Sequence, residues 1–369
     1  MRLSVIGCSL AAVLLPVGLA LAQEAEPRTP AEKIVAGLRR DYQSPGVQFA
    51  AAINGQFVDT RSFGFAEHRR AAPVSDASLF AIASCSKSFT AMAMMKVISD
   101  SNGQITLKTK AFEYLGLLDS STDPRFAEIT IEQLLTHSSG LVNNVRAESP
   151  DPLDVAKKAV AETRLASGSK PGGQYIYSNI GFNVVGALIS KASGGMSYRK
   201  YVQENVFKPA GASAVASALG QIIPGQVKQY NKEGIAVENT IPESGTPAGG
   251  WVMSATDIVK VLIAFDAGTI VPKDIAKKMF RPPIPPLEPR SNGAYYGLGW
   301  DLVYHDPSGG LVYGKNGGFD GAYCWMEHDA NGADFALLFN GGTSGQDAQW
   351  DAAKPIERAL ANQASGAKK

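Results

Sequence analysis

The hydrophobic and polar positions near the start of the chain predict a helix followed by a hairpin. Apolar residues recur at helical spacing over residues 31–42. Residues 47–53 alternate in the manner of a strand, Asn54-Gly55 is a strong hairpin signal, and residues 56–65 supply the return strand.

The middle of the chain has the periodicity of helices separated by Gly or Pro residues. The predicted helices cover residues 89–98, 131–136, 154–166, 180–192 and 198–206. Further on, Ser254 and Asp257 have the spacing of a capping box and predict the start of another helix.

Strand patterns return toward the end of the chain. The predicted strands cover residues 295–304, 311–314, 321–328 and 334–339, separated by the turn sequences DPSGG, GGFD and DANG. An amphipathic helix follows over about residues 347–362. Because the strands at each end are too few to bury themselves separately, we expect one antiparallel sheet, flanked by the terminal helices and by a helical insertion.

This pattern predicts an α+β fold in a single domain over residues 23–363. The α/β part comprises about residues 31–83 and 247–363, and the mainly helical inserted subdomain comprises about residues 84–246. Residues 364–369 are predicted to form a frayed tail.

The charge balance argues against one class of function. The chain has 369 residues, with 35 Lys and Arg against 34 Asp and Glu. It has no basic block and no stretch that interleaves aromatic and basic residues. We therefore expect no nucleic-acid partner.

The first residues predict an exported protein. Met1-Arg2 provides a positive start, residues 10–21 are apolar but too few to span a bilayer, and Ala20-Leu21-Ala22 forms a cleavage site. We expect a signal peptide over residues 1–22 and a periplasmic or secreted protein without a transmembrane segment in its mature chain. The alternative is a lipoprotein anchored on Cys8, but Cys8 precedes the apolar run.

The cysteines predict neither a disulfide framework nor a metal site. Only Cys85 and Cys324 remain after the predicted signal peptide, and we expect both to be free thiols in the core. No metal and no other cofactor is expected.

The stretch FAIASCSKSFTAMAMMK places a serine and a lysine at the start of an apolar helix. Residues three apart lie on one helix face, so the Ser84 hydroxyl would lie beside the Lys87 amine. Desolvation, the helix dipole and nearby cations would favour the neutral amine, which can act as a base. The alternative is an ordinary N-cap before a core helix, which leaves the lysine unexplained.

The S-x-x-K motif is weak by itself, because it begins at Ser84, Ser167, Ser197 and Ser365. Ser167 lies in a Gly/Pro loop, Ser197 opens a helix with a charged face, and Ser365 lies in the tail. Only Ser84 opens a helix apolar enough to be buried.

Two later motifs offer partners for acyl transfer, which needs a proton relay, oxyanion donors and a cation for any substrate carboxylate. Tyr177-Ser178-Asn179 lies where a Gly-rich loop meets an apolar helix, and Lys315-Asn316-Gly317 lies at the end of a strand. Each also has an ordinary structural alternative: Tyr177 as a half-buried ring, Asn179 as an N-cap and Lys315 as an edge-strand lysine.

Taken in this order, the motifs resemble those of the serine β-lactamase and penicillin-binding protein superfamily. Similarity to the class C-like branch, which comprises class C β-lactamases, related esterases and D-amino-acid peptidases, extends over several segments. They are FAIASCSKSFTAMAM, ITIEQLLTHSSGL, YIYSNIGFNVVGALI, ENVFKPAGA, PAGGWVMSATDIVKVL and YGLGW. The resemblance covers about residues 31–339 and implies a β-lactamase/transpeptidase-like fold.

The resemblance also implies roles for single residues. Ser84 would be the acylated nucleophile, Lys87 its base and Tyr177 a second proton carrier, whose phenolate the lysines on either side would favour. Asn179 would hold Lys87 and the acyl amide. Lys315 would attract a substrate carboxylate and favour ionised Tyr177.

Further roles follow from the same resemblance. Gly317 would let the substrate approach the strand, and the backbone N–H groups of Ser84 and Gly318 would form the oxyanion hole. His137 is expected to be a hydrogen-bonded structural residue, and Trp251 is expected to be a core residue.

Asn316 departs from the family pattern. Class C β-lactamases and penicillin-binding proteins usually have a hydroxyl residue there, so Asn316 counts against strong β-lactamase activity. Many esterases of the family have His in place of Lys315, so the lysine favours a carboxylate-bearing substrate. The chain has no G-x-S-x-G motif, which counts against an α/β-hydrolase fold.

The sequence thus predicts a serine hydrolase that cleaves an amide, β-lactam or ester bond of a small molecule or peptide through an acyl-enzyme. The alternatives are an esterase or D-amino-acid peptidase of the same fold, a penicillin-binding protein that acylates with little turnover, and a scaffold protein with a dead site. The choice of substrate depends on loops such as residues 141–154 and 211–246, and the oligomeric state stays open.

Overall fold

The computed structural model describes residues 26–68, 72–143, 150–162, 165–216, 223–238, 243–282, 293–342 and 346–366. The predicted signal peptide, residues 1–22, lies outside these ranges. Within them, no helix combines the length and the apolar character needed to cross a membrane.

Strands from the two ends of the chain form one antiparallel sheet, as the sequence predicts. The strands are β1 (Gly46–Ile53), β2 (Gln56–Glu67), β3 (Ala72–Pro73), β4 (Phe80–Ala81), β5 (Val215–Ala216), β6 (Gln229–Tyr230), β7 (Ala236–Val237), β8 (Trp251–Met253), β9 (Leu302–His305), β10 (Leu311–Phe319), β11 (Ala322–His328) and β12 (Ala333–Phe339). Seven of them follow the order β3-β2-β1-β12-β11-β10-β9, and two small sheets have the orders β4-β8-β5 and β6-β7. The pairing of β1 with β12 joins the two ends of the chain: Val47 lies opposite Phe339.

The helices occupy the middle of the chain and its two ends. They are α1 (Pro30–Asp41), α2 (Ser86–Asp100), α3 (Ala111–Leu115), α4 (Ile131–Leu135), α5 (Pro152–Glu162), α6 (Asn179–Ala192), α7 (Tyr198–Val202), α8 (Thr246–Gly249), α9 (Ala255–Asp266), α10 (Lys273–Ala276) and α11 (Gln346–Gly366). Ser254 caps α9 as predicted, since its Oγ accepts the Asp257 N–H at 3.1 Å.

The large sheet buries both of its faces. Side chains alternate between the faces of a strand. In β1, Phe49 belongs to a cluster with Val35 of α1 and Ile356 of α11. Its neighbour Ala50 belongs to a second cluster, which contains residues of α2, α6 and α9. The predicted α+β fold, with helices flanking a sheet, is confirmed.

Three further residues occupy the core, as predicted from the sequence. Trp251 is fully buried, and its Nε1 donates to the Tyr198 hydroxyl at 3.1 Å. Cys85 and Cys324 are buried free thiols.

The segment predicted as a strand over residues 295–304 is mostly a loop. Only β9, at the end of this segment, is a strand. Before it, the φ of +80° at Gly299 breaks the extended conformation, and the Gly299 backbone N–H donates to the Leu135 carbonyl at 3.1 Å. A Cβ on Gly299 would lie 2.6 Å from the Ala91 Cβ, so this loop packs directly on α2. The predicted GGFD turn is also wrong, since β10 continues to Phe319.

A histidine between two aspartates ties α9 to the sheet. His328 Nδ1 lies 2.8 Å from Asp266 Oδ2 and 2.9 Å from Asp334 Oδ1. The Tyr313 hydroxyl also donates to Asp266. Burial lowers the pKa of His328, but the hydrogen bonds to the two carboxylates outweigh it and raise the pKa to about 10.

We expect His328→Gln to lower the free energy of unfolding on the order of 3 kcal/mol at neutral pH, because it leaves two carboxylates without their cation. The folded-state pKa lies above the ordinary histidine value of about 6.5. The stabilisation by His328 is therefore complete below about pH 6.5 and is lost as the pH rises through about 10. Urea unfolding at about pH 6, 8 and 10 measures this. An equal loss in the variant at all three pH values would contradict the charged state of His328.

Candidate active site

A strained turn at the start of α2 holds Ser84. A 3-10 turn, Ala83–Cys85, precedes the α-helix, which begins at Ser86. Ser84 therefore lies just before the helix that the sequence predicts it to open. Ala83 has a φ of +45°, a left-handed conformation that is uncommon for a residue with a side chain. Such strain persists where the surrounding structure enforces it, and it is found most often at functional sites.

Lys87 is fully buried and lies beside Ser84. Its Nζ lies 3.0 Å from Ser84 Oγ and donates to the Ala248 carbonyl at 2.6 Å. Burial and the charge of Lys315 hold the pKa of Lys87 well below its usual range, although the negative charge of Asp301 opposes them. The environment therefore favours the neutral amine, the form that accepts a proton.

The Tyr177 hydroxyl reaches the same serine oxygen. It donates to Ser84 Oγ at 2.7 Å, and Lys87 Nζ lies 4.9 Å from the centroid of its ring. Burial, followed by the charge of Asp301, raises the pKa of Tyr177 despite its hydrogen bond with Ser84. The prediction that flanking lysines favour the phenolate is therefore wrong, and Tyr177 is held as a neutral phenol.

His137 supports the segment that carries Tyr177. Its Nδ1 accepts the Ser178 backbone N–H at 3.1 Å, and its carbonyl accepts the Ile176 N–H at 2.7 Å. Its ring packs on the Tyr177 ring with centroids 4.3 Å apart. Burial and two neighbouring lysines lower the pKa of His137, so the imidazole is neutral and Nδ1 can accept. The predicted role as a hydrogen-bonded structural residue is confirmed.

Asn179 does not form the predicted contact with Lys87. It is the exposed first residue of α6, and its backbone N–H donates to Asn143 Oδ1 at 2.6 Å. No hydrogen bond joins its side chain to Lys87, and the Ala248 carbonyl takes that position instead. Nor is Asn179 the N-cap, since Ser178 caps the helix.

Lys315 pairs with an aspartate that the sequence motifs do not contain. Its Nζ lies 2.6 Å from Asp301 Oδ2, and the two side chains are 1% and 8% exposed. The same carboxylate oxygen accepts the Asn316 backbone N–H at 3.2 Å. The lysine predicted to attract a substrate carboxylate thus has an internal counterion.

β10 packs against the serine turn at Gly317, and its edge is not paired with β9 beyond residue 314. β9 pairs with β10 only at residues 311–314. Since N–H directions alternate along a strand, the Gly318 N–H points to the same side as the Asn316 N–H that Asp301 accepts. A Cβ on Gly317 would lie 2.7 Å from the Ser84 nitrogen. Gly317 is therefore required by the close approach of the serine turn, a reason that differs from the predicted substrate access.

Sequence reasoning missed Asp301, the Ala248 carbonyl and the strained Ala83. Asp301 directly follows the segment YGLGW, and the signal that could have found it is an acidic residue in an apolar stretch. The Ala248 carbonyl and the strained φ of Ala83 are features of the backbone, and motifs of side chains do not indicate them.

In the described part of the chain, the candidate metal ligands lie away from the Ser84 contacts. Among the described residues, side chains suited to hold a metal converge only at Asp266, His328 and Asp334. None of these three side chains forms a hydrogen bond with Ser84. The contacts of the two aspartates with His328 account for the position of all three side chains.

Comparison with known proteins gives the same family as the sequence motifs. The sequence profile described as Beta-lactamase matches residues 31–358. Penicillin-binding protein 4* of Bacillus subtilis (strain 168) is 26% identical over 301 residues, which cover 73% of this chain and 62% of that protein. The chain thus spans less than two thirds of that relative.

Two solved structures share the fold. The octameric penicillin-binding protein homologue from Pyrococcus abyssi has a TM-score of 0.75 and 22% identity, covering 91% of this chain and 77% of that one. D-amino acid amidase from Ochrobactrum anthropi SV3 has a TM-score of 0.72 and 21% identity, covering 90% of this chain and 99% of that one. The match over residues 31–358 shows that the chain belongs to the Beta-lactamase family, within the serine β-lactamase and penicillin-binding protein superfamily.

Proposed function

We propose that this protein is an exported serine hydrolase that forms an acyl-enzyme on Ser84 and cleaves an amide, β-lactam or ester bond. One observation carries the proposal: Ser84 Oγ lies 3.0 Å from Nζ of buried Lys87 and 2.7 Å from the Tyr177 hydroxyl. A nucleophile, a base with a lowered pKa and a proton donor therefore meet at one oxygen. The leader predicted over residues 1–22 supports export.

Acylation begins when neutral Lys87 accepts the hydroxyl proton of Ser84 while Oγ attacks the substrate carbonyl. The hydrogen bond to the Ala248 carbonyl, 2.6 Å long, fixes Nζ for this transfer. Tyr177, kept protonated by its raised pKa, gives its proton to the leaving group. The proton on Lys87 then restores the Tyr177 hydroxyl, and water repeats the sequence in deacylation.

The developing oxyanion is stabilised by the backbone N–H groups of Ser84 and Gly318. Two observations support this assignment. The Gly318 N–H points to the side of β10 that β9 leaves unpaired, and Gly317 lies close to the Ser84 nitrogen. Donors of this kind contribute about 10²–10³-fold each in other serine hydrolases. Because both belong to the backbone, no side-chain substitution in this site removes them.

The test uses the wild-type protein with a penicillin, a cephalosporin, a p-nitrophenyl short-chain ester, a D-amino acid amide and a D-Ala-D-Ala peptide. The similarity to penicillin-binding proteins and to a D-amino acid amidase supports this choice of probes. We expect intact-mass spectra to show a transient acyl adduct, which peptide mapping assigns to Ser84, together with released product.

The outcomes separate the alternatives. A persistent penicillin adduct on Ser84 without product would replace the hydrolase by a binding protein with little turnover. Rapid release of p-nitrophenol from the short-chain ester, with no product from the other four probes, would favour the esterase. The absence of any adduct and product, or an adduct on another residue, would overturn the proposal.

A further inference from the structure

The ion pair between Lys315 and Asp301 lies within the proposed site. Lys315 Nζ lies 6.0 Å from the centroid of the Tyr177 ring and 5.9 Å from that of Tyr296. Its ion-pair partner is Asp301, at 2.6 Å. The Lys315 side chain is only 1% exposed, so its ammonium group is buried beside the two rings and the carboxylate.

Asp301 is fixed by two contacts on one oxygen. Asp301 Oδ2 accepts from Lys315 Nζ and from the backbone N–H of Asn316. The Asp301 side chain is 8% exposed and belongs to the loop that packs on α2 through Gly299. A carboxylate held by a cation, a backbone donor and a packed loop does not swing aside easily when a ligand arrives.

The charges at the site consequently balance. The environment of Lys87 favours its neutral form, Tyr177 is a neutral phenol, and the charge of Lys315 is offset by that of Asp301. A substrate carboxylate near Lys315 would meet a second carboxylate within a few ångströms. Because Asp301 already offsets the charge of Lys315, the pair gives a substrate carboxylate too little net attraction to offset the cost of its desolvation, so the pair disfavours an anion there.

We infer that Asp301 makes this site select substrates that are uncharged at the group nearest Lys315 and reject substrates that carry a carboxylate there. The inference rests on the proposed function of Ser84 as an acylated nucleophile. It replaces the preference for a carboxylate-bearing substrate that Lys315 indicates from the sequence. The substrate class is then a neutral ester or amide, and Asp301 is a specificity-determining residue.

A matched pair of substrates tests this inference. One is a p-nitrophenyl ester whose acyl chain ends in a carboxylate, and the other is the methyl ester of that carboxylate. We expect the wild-type protein to favour the neutral member at least about tenfold in kcat/KM. In Asp301→Asn the ammonium group of Lys315 becomes available, so we expect the preference to shift at least about tenfold toward the carboxylated member, chiefly through its KM.

The double variant Asp301→Asn with Lys315→Met is the matched control. It lacks both charges, so the gain seen in Asp301→Asn should disappear, whereas a general disturbance of the loop would persist in both variants. A ratio of rates for two substrates cancels any common loss of activity. If Asp301→Asn does not fold, the inference is tested by the kcat/KM ratio of the two substrates in the wild-type protein and in the double variant.

Each result has a definite meaning. Wild-type preference for the carboxylated member, or an unchanged ratio in Asp301→Asn, overturns the inference and leaves the proposed function intact. Failure of both esters to acylate Ser84 while another probe of the panel does so overturns the inference alone, whereas failure of every probe contradicts the proposed function, and the inference falls with it.

Discussion

Replacing Ser84 with alanine is expected to lower kcat/KM at least about 10⁴-fold for every substrate of this site, because the substitution removes the atom that forms the acyl bond. The same variant should show no covalent adduct with a penicillin or a fluorophosphonate. Thermal unfolding should change little, since Lys87 keeps its 2.6 Å hydrogen bond to the Ala248 carbonyl. Intact-mass spectrometry and a melting curve measure both effects.

Ser86→Ala provides the control for this experiment. Ser86 lies two residues further along and is fully buried, and its Oγ accepts the Trp251 backbone N–H at 3.2 Å. Its loss should cost about 1 kcal/mol of stability and leave the adduct intact. Adduct formation that survives Ser84→Ala would remove Ser84 from its proposed role. Adduct formation abolished only by Ser86→Ala would move that role to Ser86.

The sheet could be predicted because its strands carry local signals. Residues 47–53 alternate, and Asn54-Gly55 forms the expected hairpin turn with φ values of 51° and 77°. One sheet made from both ends of the chain follows from the need of a few strands at each end to find partners, and the structure makes this connection between β1 and β12. The loop before β9 escaped prediction because Gly299 and its backbone partners belong to elements distant in sequence.

In the proposed site too, contacts between residues close in sequence are easier to predict than contacts between distant segments. The approach of Lys87 to Ser84 follows from the spacing of three residues, whereas Tyr177 is a candidate from a weak motif and gains its role from the resemblance to a family. The ion pair of Lys315 with Asp301 joins a strand to a loop, so no local spacing reports it. The protonation of Tyr177 was predicted wrongly because its lysine neighbours are visible in the motifs, whereas its burial and Asp301 are not.

Removal of the Lys87 amine should lower the rate of catalysis without lowering the stability of the fold. In Lys87→Met we expect kcat/KM to fall about 10²–10⁴-fold, the contribution typical of a positioned base. The free energy of unfolding should stay equal or rise by up to about 2 kcal/mol, because methionine removes the desolvation cost of a fully buried amine. The lost hydrogen bond to the Ala248 carbonyl limits that gain.

The pH dependence gives Lys87 a signature that a structural lysine would lack. Only the neutral amine accepts the Ser84 proton, so wild-type kcat/KM should rise as the pH increases through the lowered pKa of Lys87 and then level off. That rise should be absent in Lys87→Met. The control is Lys96→Met on the same helix, which removes a surface ion pair with Asp100 and should change both activity and stability little. Lys87→Met with normal activity and reduced stability would show that the lysine only supports the fold, because a catalytic base cannot be removed without cost to the rate.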